Sequence, residues 1–306
     1  MGKIAFMFSG QGAQHVGMGL DLYNNYDSVK QLFDDAQSVR PGTKEQCFEG
    51  DEATLKLTQN TQPCLYLADL AAAVALKDEG IMPDAVAGFS LGEIPALSFA
   101  GAYTYTDGFK LSIKRGEAMG KASEHNPASM LAVVKLDNKT VEDICDKYEY
   151  IYPVNYNCTG QLVVSGKTEY FEQFSADVKA AGGRALPLKV GGGFHSPFMN
   201  EAAEEFGGYL ADFEFAKPNI AAYSNYTAKP YDGDFANLLQ NQINHPVHWE
   251  AIIKSLLSDG FDTFIEVGVG NTLQKLCQKI TAGNDNVKCL KCECAEDVAA
   301  IKEQLK

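Results

Sequence analysis

The chain is 306 residues long, enough for one large or two smaller domains with a full core. Its hydrophobic content of 45% is ordinary for a globular enzyme. Its net charge of -14 argues against nucleic acid or anionic membrane surfaces as partners, because both select basic faces.

Residues 3–8 read as a strand. This apolar run is too short for a secretory signal before Gly10-Gln11-Gly12 breaks it, so a cytoplasmic protein is expected. Residues 61–79 read as a helix with Pro63 in its first turn and Gly80 just beyond its end. Leu65 to Leu76 is the longest apolar helical stretch, and Asp69 interrupts it well short of a membrane span. A strand at 84–89 then leads into Gly88-Phe89-Ser90-Leu91-Gly92. This G-x-S-x-G pattern reads as strand, sharp turn and helix with a serine at the tip, which presents the hydroxyl at the edge of a parallel sheet. Larger side chains in place of the glycines would clash where the turn reverses. The next backbone N–H sits at a helix N-terminus, where it can stabilise a developing oxyanion. The same pentapeptide also occurs as an inert strand-to-helix turn, and this chain has 28 glycines. Residues 106–122 read as a second long helix, ended by Asn126-Pro127.

The middle of the chain has a different rhythm. Residues 129–136 read as a strand, and 139–148 place Val141, Ile144, Cys145 and Tyr148 on one helical face. Residues 151–156 and 161–165 read as strands joined by Cys158-Thr159-Gly160. Residues 168–181 then form a helix carrying Phe171, Phe174, Val178 and Ala181 on one side, and 185–190 a last strand. The order β-α-β-β-α-β is the ferredoxin-like pattern. The expected fold is therefore α/β: a large hydrolase-like parallel-sheet domain built from 1–126 and 196–306, with a small ferredoxin-like α+β domain inserted at 127–195.

The insertion returns through Gly191-Gly192-Gly193-Phe194-His195-Ser196-Pro197. Clefts between domains are favoured ligand sites, and Ser90 needs a base, so His195 is the candidate. An ordinary histidine titrates near ~6.5, so activity is expected to fall as the pH drops through that value. His15, His125, His245 and His248 are weaker candidates. The H-x-x-H spacing of the last pair has no carboxylate or cysteine ligand close by and reads as structural. The eight cysteines are scattered and predict free thiols. Cys289, Cys292 and Cys294 have metal-like spacing, but without a second ligand pair they read as small residues of a strand at 287–294.

Taken together, these residues resemble the malonyl-CoA:acyl-carrier-protein transacylase family along the whole chain. Phe8-Ser9-Gly10-Gln11-Gly12-Ala13-Gln14 is similar to the family's F-P-G-Q-G-S-Q, Thr61-Gln62-Pro63 to its T-Q-P, and Gly88 to Glu93 to its G-H-S-L-G-E. Lys114-Arg115-Gly116 resembles its arginine segment and Phe194-His195-Ser196-Pro197 its F-H-S-P. Gln242 with Pro246-Val247 and Trp249 resembles its Q-x-x-x-P-V-x-W, and Glu266 to Gly270 its E-V-G-P-G. The resemblance implies Ser90 as nucleophile, His195 as general base and then acid, and the Gln242 backbone carbonyl as the group that orients the imidazole. It implies an oxyanion hole from the N–H groups of Gln11 and Leu91. Arg115 would grip the malonyl carboxylate in a two-pronged pair that Lys114 could not reproduce. Phe194 would crowd an α-methyl branch, and Asn157 and Gln161 would lie near the coenzyme A arm. Arg184 and Lys279 resemble basic positions at the site mouth and would dock an acyl carrier protein. The implied protein is a monomer with no cofactor beyond its coenzyme A thioester substrate, and it supplies fatty acid synthesis.

Two departures stand out: Phe89 replaces the usual elbow histidine, and Gly192-Gly193 replace larger residues before Phe194. Rival readings remain. A free-standing acyltransferase could serve a polyketide synthase. A patatin-like serine esterase or lipase would pair Ser90 with Asp232 of Asp232-Gly233. An α/β-hydrolase would place its histidine near the C-terminus, whereas 111 residues follow His195. A non-catalytic docking module is suggested by Phe89 and opposed by the presence of Ser90, His195, Arg115 and Gln11.

Overall fold

A computed structural model describes residues 2–306; residue 1, the first of the predicted large domain, lies outside the described residues. The chain runs from β1 (Lys3–Phe8) through α1 (Leu20–Asn25), α2 (Asp27–Val39), α3 (Thr43–Phe48) and α4 (Glu52–Leu55) to the long α5 (Thr58–Asp78). Next come β2 (Ala85–Gly88), α6 (Glu93–Phe99) and α7 (Tyr105–His125). The middle segment holds β3 (Ser129–Val134), α8 (Asn138–Cys145), β4 (Ile151–Cys158), β5 (Gln161–Gly166), α9 (Phe171–Ala180) and β6 (Arg184–Pro187). The chain continues with α10 (Asn200–Leu210), β7 (Ala221–Tyr223), α11 (Phe235–Asn244) and α12 (Trp249–Ser258). It ends in β8 (Phe261–Val267), α13 (Thr272–Ile280), β9 (Lys288–Cys292) and α14 (Ala295–Gln304).

Strands β7-β2-β1-β8-β9 form one parallel sheet. Its central strands are continuous apolar runs because helices cover both faces: five of the six residues of β1 and all four of β2 are buried. The second sheet, β4-β5-β3-β6, is antiparallel and carries α8 and α9 over its own apolar cluster of Leu131, Val133, Ile144, Leu162, Phe174 and Val178. This is the expected α/β fold with a ferredoxin-like second sheet. The two parts are stitched where the Tyr156 N–H donates to the Val247 carbonyl at 2.9 Å and the Val247 N–H to that of Val154 at 2.8 Å.

Most element ends shift by a few residues from the sequence reading, and three of the shifts have a local consequence. Helix α5 opens at Thr58, so Pro63 lies in its second turn, where its missing N–H removes a single early bond. Strand β6 ends at Pro187; the Leu188 N–H still reaches the Met130 carbonyl at 3.0 Å, and Leu188, Lys189 and Val190 line a cleft. The C-terminal strand is limited to Lys288–Cys292, with Cys292 buried and Cys289 and Cys294 half-buried; all eight cysteines are free. Among the described residues no cluster of three His, Cys, Asp or Glu could hold a metal, and no helix is long and apolar enough to cross a membrane.

Parallel strands bring their carboxyl ends to one edge, and ligands bind there. Here that edge gathers Ser9 after β1, Phe89 and Ser90 after β2, Asn225 after β7 and Gly268 after β8. Helix α5 is buried nearly all round, including Gln62 and Asp69, so it serves as a core post for this edge. Helix α7 lies close against it because residue 116 is glycine: a Cβ there would meet the Thr58 carbonyl oxygen and Gln59 Cα at 3.1 Å. The elbow is tighter still. A Cβ on Gly88 would fall 1.9 Å from the Gly92 carbonyl carbon, and one on Gly92 2.2 Å from the Phe8 carbonyl oxygen. Both neighbours are backbone and cannot step aside. Gly88→Ala should therefore cost about 3 kcal/mol of stability or more, read as a lowered midpoint in urea unfolding; an unchanged midpoint would mean the turn is not packed as described.

Candidate active site

Ser90 has φ 54, in the left-handed region that a side chain rarely adopts. Two side chains hold it there. Its N–H donates to Asn225 Oδ1 at 2.6 Å, and its carbonyl accepts from Gln242 Nε2 at 2.5 Å. Asn225 is itself fixed, because its Nδ2 donates to the Gly88 carbonyl at 2.5 Å. The serine hydroxyl is thereby turned off the end of β2 toward the second sheet. Leu91 follows at the start of the helical turn that leads into α6, where backbone N–H groups lack intrahelical acceptors.

His195 Nε2 lies 2.7 Å from Ser90 Oγ, and its Nδ1 lies 2.8 Å from the Gln242 carbonyl oxygen. A carbonyl only accepts, so Nδ1 carries the proton and Nε2 is free to take one from serine. His195 also has a positive φ, 61, and its N–H is held by the Ile243 carbonyl at 3.2 Å. Burial first, and the Arg115 charge second, push its pKa down to about 3, against the pull of the Gln242 carbonyl. The imidazole thus lies well below the ordinary value of ~6.5 expected from the sequence and is neutral through the weakly acidic range in the empty site.

Arg115 is fully enclosed. Its Nη1 donates to Gln62 Oε1 at 2.9 Å, and its Nη2 to Gln242 Oε1 at 2.8 Å and to Ser90 Oγ at 3.2 Å. Burial lowers its pKa to about 10, partly offset by Glu93. Lys114, by contrast, is exposed and pairs with Glu117.

Beside Ser90 and His195 is a chamber of about 90 Å³, walled by Gln11, Gln62, Met119, Met130, Asn155 and Phe194 among others. It opens past Phe89 into an outer cleft of about 300 Å³ between the two sheets, lined by Gln11, Asn155, Asn157, Gln161, Glu266 and Leu273 among others. Phe89 packs edge-on against Trp249, ring centroids 5.6 Å apart, and so forms a fixed wall at the junction. The Oδ1 atoms of Asn155 and Asn157 are buried on this cleft with no hydrogen-bond partner. Glu266 accepts the Leu273 and Gln274 N–H groups at 3.0 and 2.7 Å, anchoring the start of α13 along the same cleft. A separate cleft of about 290 Å³ between α2, α5 and α7 holds none of these residues.

The structure thus places Ser90, His195, Gln11 and Phe194 on one chamber, with Gln242 and Arg115 bonded to Ser90 and Gln242 also to His195, and with Asn157 and Gln161 on the outer cleft. Lys279 lies at the cleft rim, its Nζ 3.5 Å from Gln161 Oε1. Arg184 is exposed on β6; Gln161, Val134 and Arg184 are in register across three adjacent strands. Asp232 is exposed, and the partner of Ser90 Oγ is His195, so no Ser-Asp dyad forms. The remaining histidines have local partners: His15 binds Glu293, His125 binds Glu201, His245 the Asn241 carbonyl, and His248 stacks on Tyr156. Sequence reasoning gave no role to Gln62, Glu93, Asn155 or Asn225. Gln62 and Glu93 sit inside quoted motifs, which was their only signal; Asn225 had none.

A strained elbow serine bonded to a neutral, oriented imidazole beside a small chamber is the arrangement of an enzyme that passes acyl groups through serine. A family model described as the acyl transferase domain matches residues 5–293. The chain belongs to the acyl transferase family. It is 37% identical over 288 residues to the malonyl CoA-acyl carrier protein transacylase of Bacillus subtilis (strain 168), covering 92% of this chain and 91% of that protein. It is 39% identical over 285 residues to the polyketide biosynthesis malonyl CoA-acyl carrier protein transacylase of the same strain, covering 90% and 96%. Among solved structures, the malonyl CoA-acyl carrier protein transacylase from Clostridium perfringens superposes with a TM-score of 0.94 at 34% identity, covering 99% of this chain and 97% of that one. A malonyl-transacylase in complex with its type II PKS acyl-carrier protein superposes with a TM-score of 0.93 at 29% identity, covering 99% of both.

Proposed function

We propose that the protein transfers a malonyl group from coenzyme A to the phosphopantetheine thiol of an acyl carrier protein, by way of a malonyl ester on Ser90, and so supplies fatty acid synthesis. The observation that carries this reading is the buried Arg115 guanidinium 3.2 Å from Ser90 Oγ. A cation enclosed beside a nucleophile is costly unless an anion arrives to pair with it, and a carboxylate borne beyond the reacting carbonyl is that anion.

In the first half-reaction Ser90 Oγ attacks the thioester carbonyl while His195 Nε2 takes its proton. The Gln11 and Leu91 N–H groups receive the oxyanion, which collapses to expel the coenzyme A thiolate, and His195 returns the proton to sulfur. In the second, the carrier thiol gives its proton to His195 and attacks the ester, and Ser90 leaves and takes the proton back. The Gln242 carbonyl suffices as orienter because its task is to fix the tautomer. Arg115 disfavours the imidazolium in the empty site. A malonyl carboxylate paired with it cancels that repulsion, so the substrate raises the basicity of His195 as it binds.

The unpaired Oδ1 atoms of Asn155 and Asn157 would accept the amide N–H groups of the pantetheine arm, with Gln161 further out. Phe194 would crowd an α-methyl branch. The site uses the chain's own residues, with no cofactor beyond the thioester substrate, in a cytoplasmic monomer that has no nucleic-acid or membrane partner. Residues 127–195 would form the inserted unit between 1–126 and 196–306. The polyketide-type relative favours a second reading, in which the carrier belongs to a polyketide synthase; transfer rates to carriers of each kind decide it.

Brief exposure to malonyl-CoA should leave a malonyl ester on Ser90, seen by mass spectrometry and discharged when a carrier with its phosphopantetheine arm is added. Persistence of the adduct in Ser90→Ala, or its rapid loss to water in the wild type, would defeat the transferase reading. Arg115→Ala should weaken malonyl transfer by the equivalent of roughly 2–5 kcal/mol and acetyl transfer far less, since acetyl makes no carboxylate contact and loses only the guanidinium's hold on Gln242 and Ser90; equal losses would leave Arg115 a structural part. Carriers are generally acidic, as this chain is, so docking needs a local basic patch within the ~8–10 Å reach of charge at ordinary salt. Lys279→Glu and Arg184→Glu should raise the KM for carrier and leave Ser90 malonylation unchanged. Wild-type carrier kinetics in both variants at low salt would remove the patch.

A further inference from the structure

The reaction steps give no task to a buried carboxylate next to the reacting groups. Glu93, at the start of α6 directly behind the elbow, is 1% exposed. Three groups converge on its carboxylate and all of them donate: Gln242 Nε2 at 2.9 Å, the Asn225 N–H at 3.2 and 3.3 Å, and the Tyr231 hydroxyl. Each of the first two leads to the reaction. Asn225 holds the Ser90 N–H, and Gln242 holds the Ser90 carbonyl, the His195 ring and Arg115. An amide side chain can sit either way round. Gln242 presents nitrogen to Glu93 and oxygen to Arg115, and the reverse would set oxygen against carboxylate and nitrogen against guanidinium. Glu93 and Arg115 therefore fix the Gln242 amide between them, although the two charges do not touch.

We infer that Glu93 is a positioning residue for this reaction: through Gln242 and Asn225 its carboxylate sets the base, the guanidinium and the nucleophile's backbone in one arrangement. The inference rests on the Ser90 acyl-transfer reading. It has a consequence in pH. Burial raises Glu93 to about 7, opposed by its Tyr231, Gln242 and Asn225 partners and by Arg115. The groups facing it are Arg115 from α7, Tyr231 from the segment after β7, Tyr103 from the segment between α6 and α7, and His195 beyond Gln242. As pH falls through about 7, Glu93 gains a proton while His195, at about 3, stays neutral. A protonated carboxyl turns its own O–H to the Tyr231 oxygen and, uncharged, holds the Gln242 nitrogen and the Asn225 N–H less firmly, so the amide is left to the Ser90 carbonyl and Arg115. The acid limb of malonylation then belongs to Glu93 and not to the histidine.

The test is the pH profile of kcat/KM for Ser90 malonylation by malonyl-CoA, in wild type and three full-length variants. The wild type should lose activity on the acid side near pH 7. Glu93→Gln should be slower by roughly 100-fold, the cost of a slight misplacement, with no acid limb near 7 in what remains. Glu93→Asp, which keeps the charge, should recover part of the rate. Tyr231→Phe removes one donor to the carboxylate, touches no reacting atom and should shift the acid limb to higher pH, so it serves even where Glu93→Gln does not fold. Wild-type rate and profile in Glu93→Gln, or an unmoved limb in Tyr231→Phe, overturns the inference. A wild type that carries no malonyl on Ser90 overturns the acyl-transfer reading first.

Discussion

The Gln242 side-chain nitrogen holds the Ser90 carbonyl at 2.5 Å and the Glu93 carboxylate at 2.9 Å, its side-chain oxygen takes an Arg115 N–H at 2.8 Å, and its backbone carbonyl receives His195. One residue of α11 thus sets the distances among three functional groups that come from β2, α7 and the return from the second sheet. Ser90 and His195 both sit at positive φ, which the chain resists. Such backbone persists only where its surroundings over-determine it. Asn225, Gln242 and the Ile243 carbonyl supply that restraint here, so the strain and the hydrogen bonds of the site form one arrangement.

Low dielectric gives this arrangement its chemical character. Arg115, Glu93 and His195 are all buried within a few side chains of one another. A buried pair of opposite charges is weak evidence for stability, since desolvation offsets much of their attraction. Bridging the pair through an amide costs stability yet leaves the guanidinium with N–H groups to offer a substrate. The Arg115 charge also helps to keep the imidazole neutral. The same enclosure accounts for the small chamber, where Phe194, Met119 and Met130 leave about 90 Å³.

Much of this was legible in the amino-acid order, for reasons that differ by residue. The elbow could be read because its constraints are local: Gly88, Ser90 and Gly92 lie within one turn, and the clashes that forbid side chains there arise within a few residues and against β1. The second sheet could be read because its helices show one-sided apolar spacing and its turns are short. His195 was placed by its junction and by family resemblance. Glu93 and Gln62 were in view as letters, but their enclosure was not, because burial is decided by helices packing from far along the chain. Asn225 meets Ser90 across 135 positions and carries no local mark. The titration of His195 was misjudged for the same reason, since desolvation belongs to the assembled chamber and not to the Phe194-His195-Ser196 segment.

The strand order β7-β2-β1-β8-β9 also governs when the site can come into being. The first strand of the chain is the middle of the sheet, and one of its two partners is β8, more than 250 residues later. The antiparallel sheet, by contrast, closes within residues 129–187 and can form while synthesis continues. A ribosome that has passed the elbow serine has therefore built the nucleophile without Asn225, Gln242 or β8 to hold it. Until those later segments are in place, the chain lacks the bonds that hold Ser90 at positive φ and set its hydroxyl against the imidazole. The topology thereby couples the onset of acyl chemistry to the completion of folding.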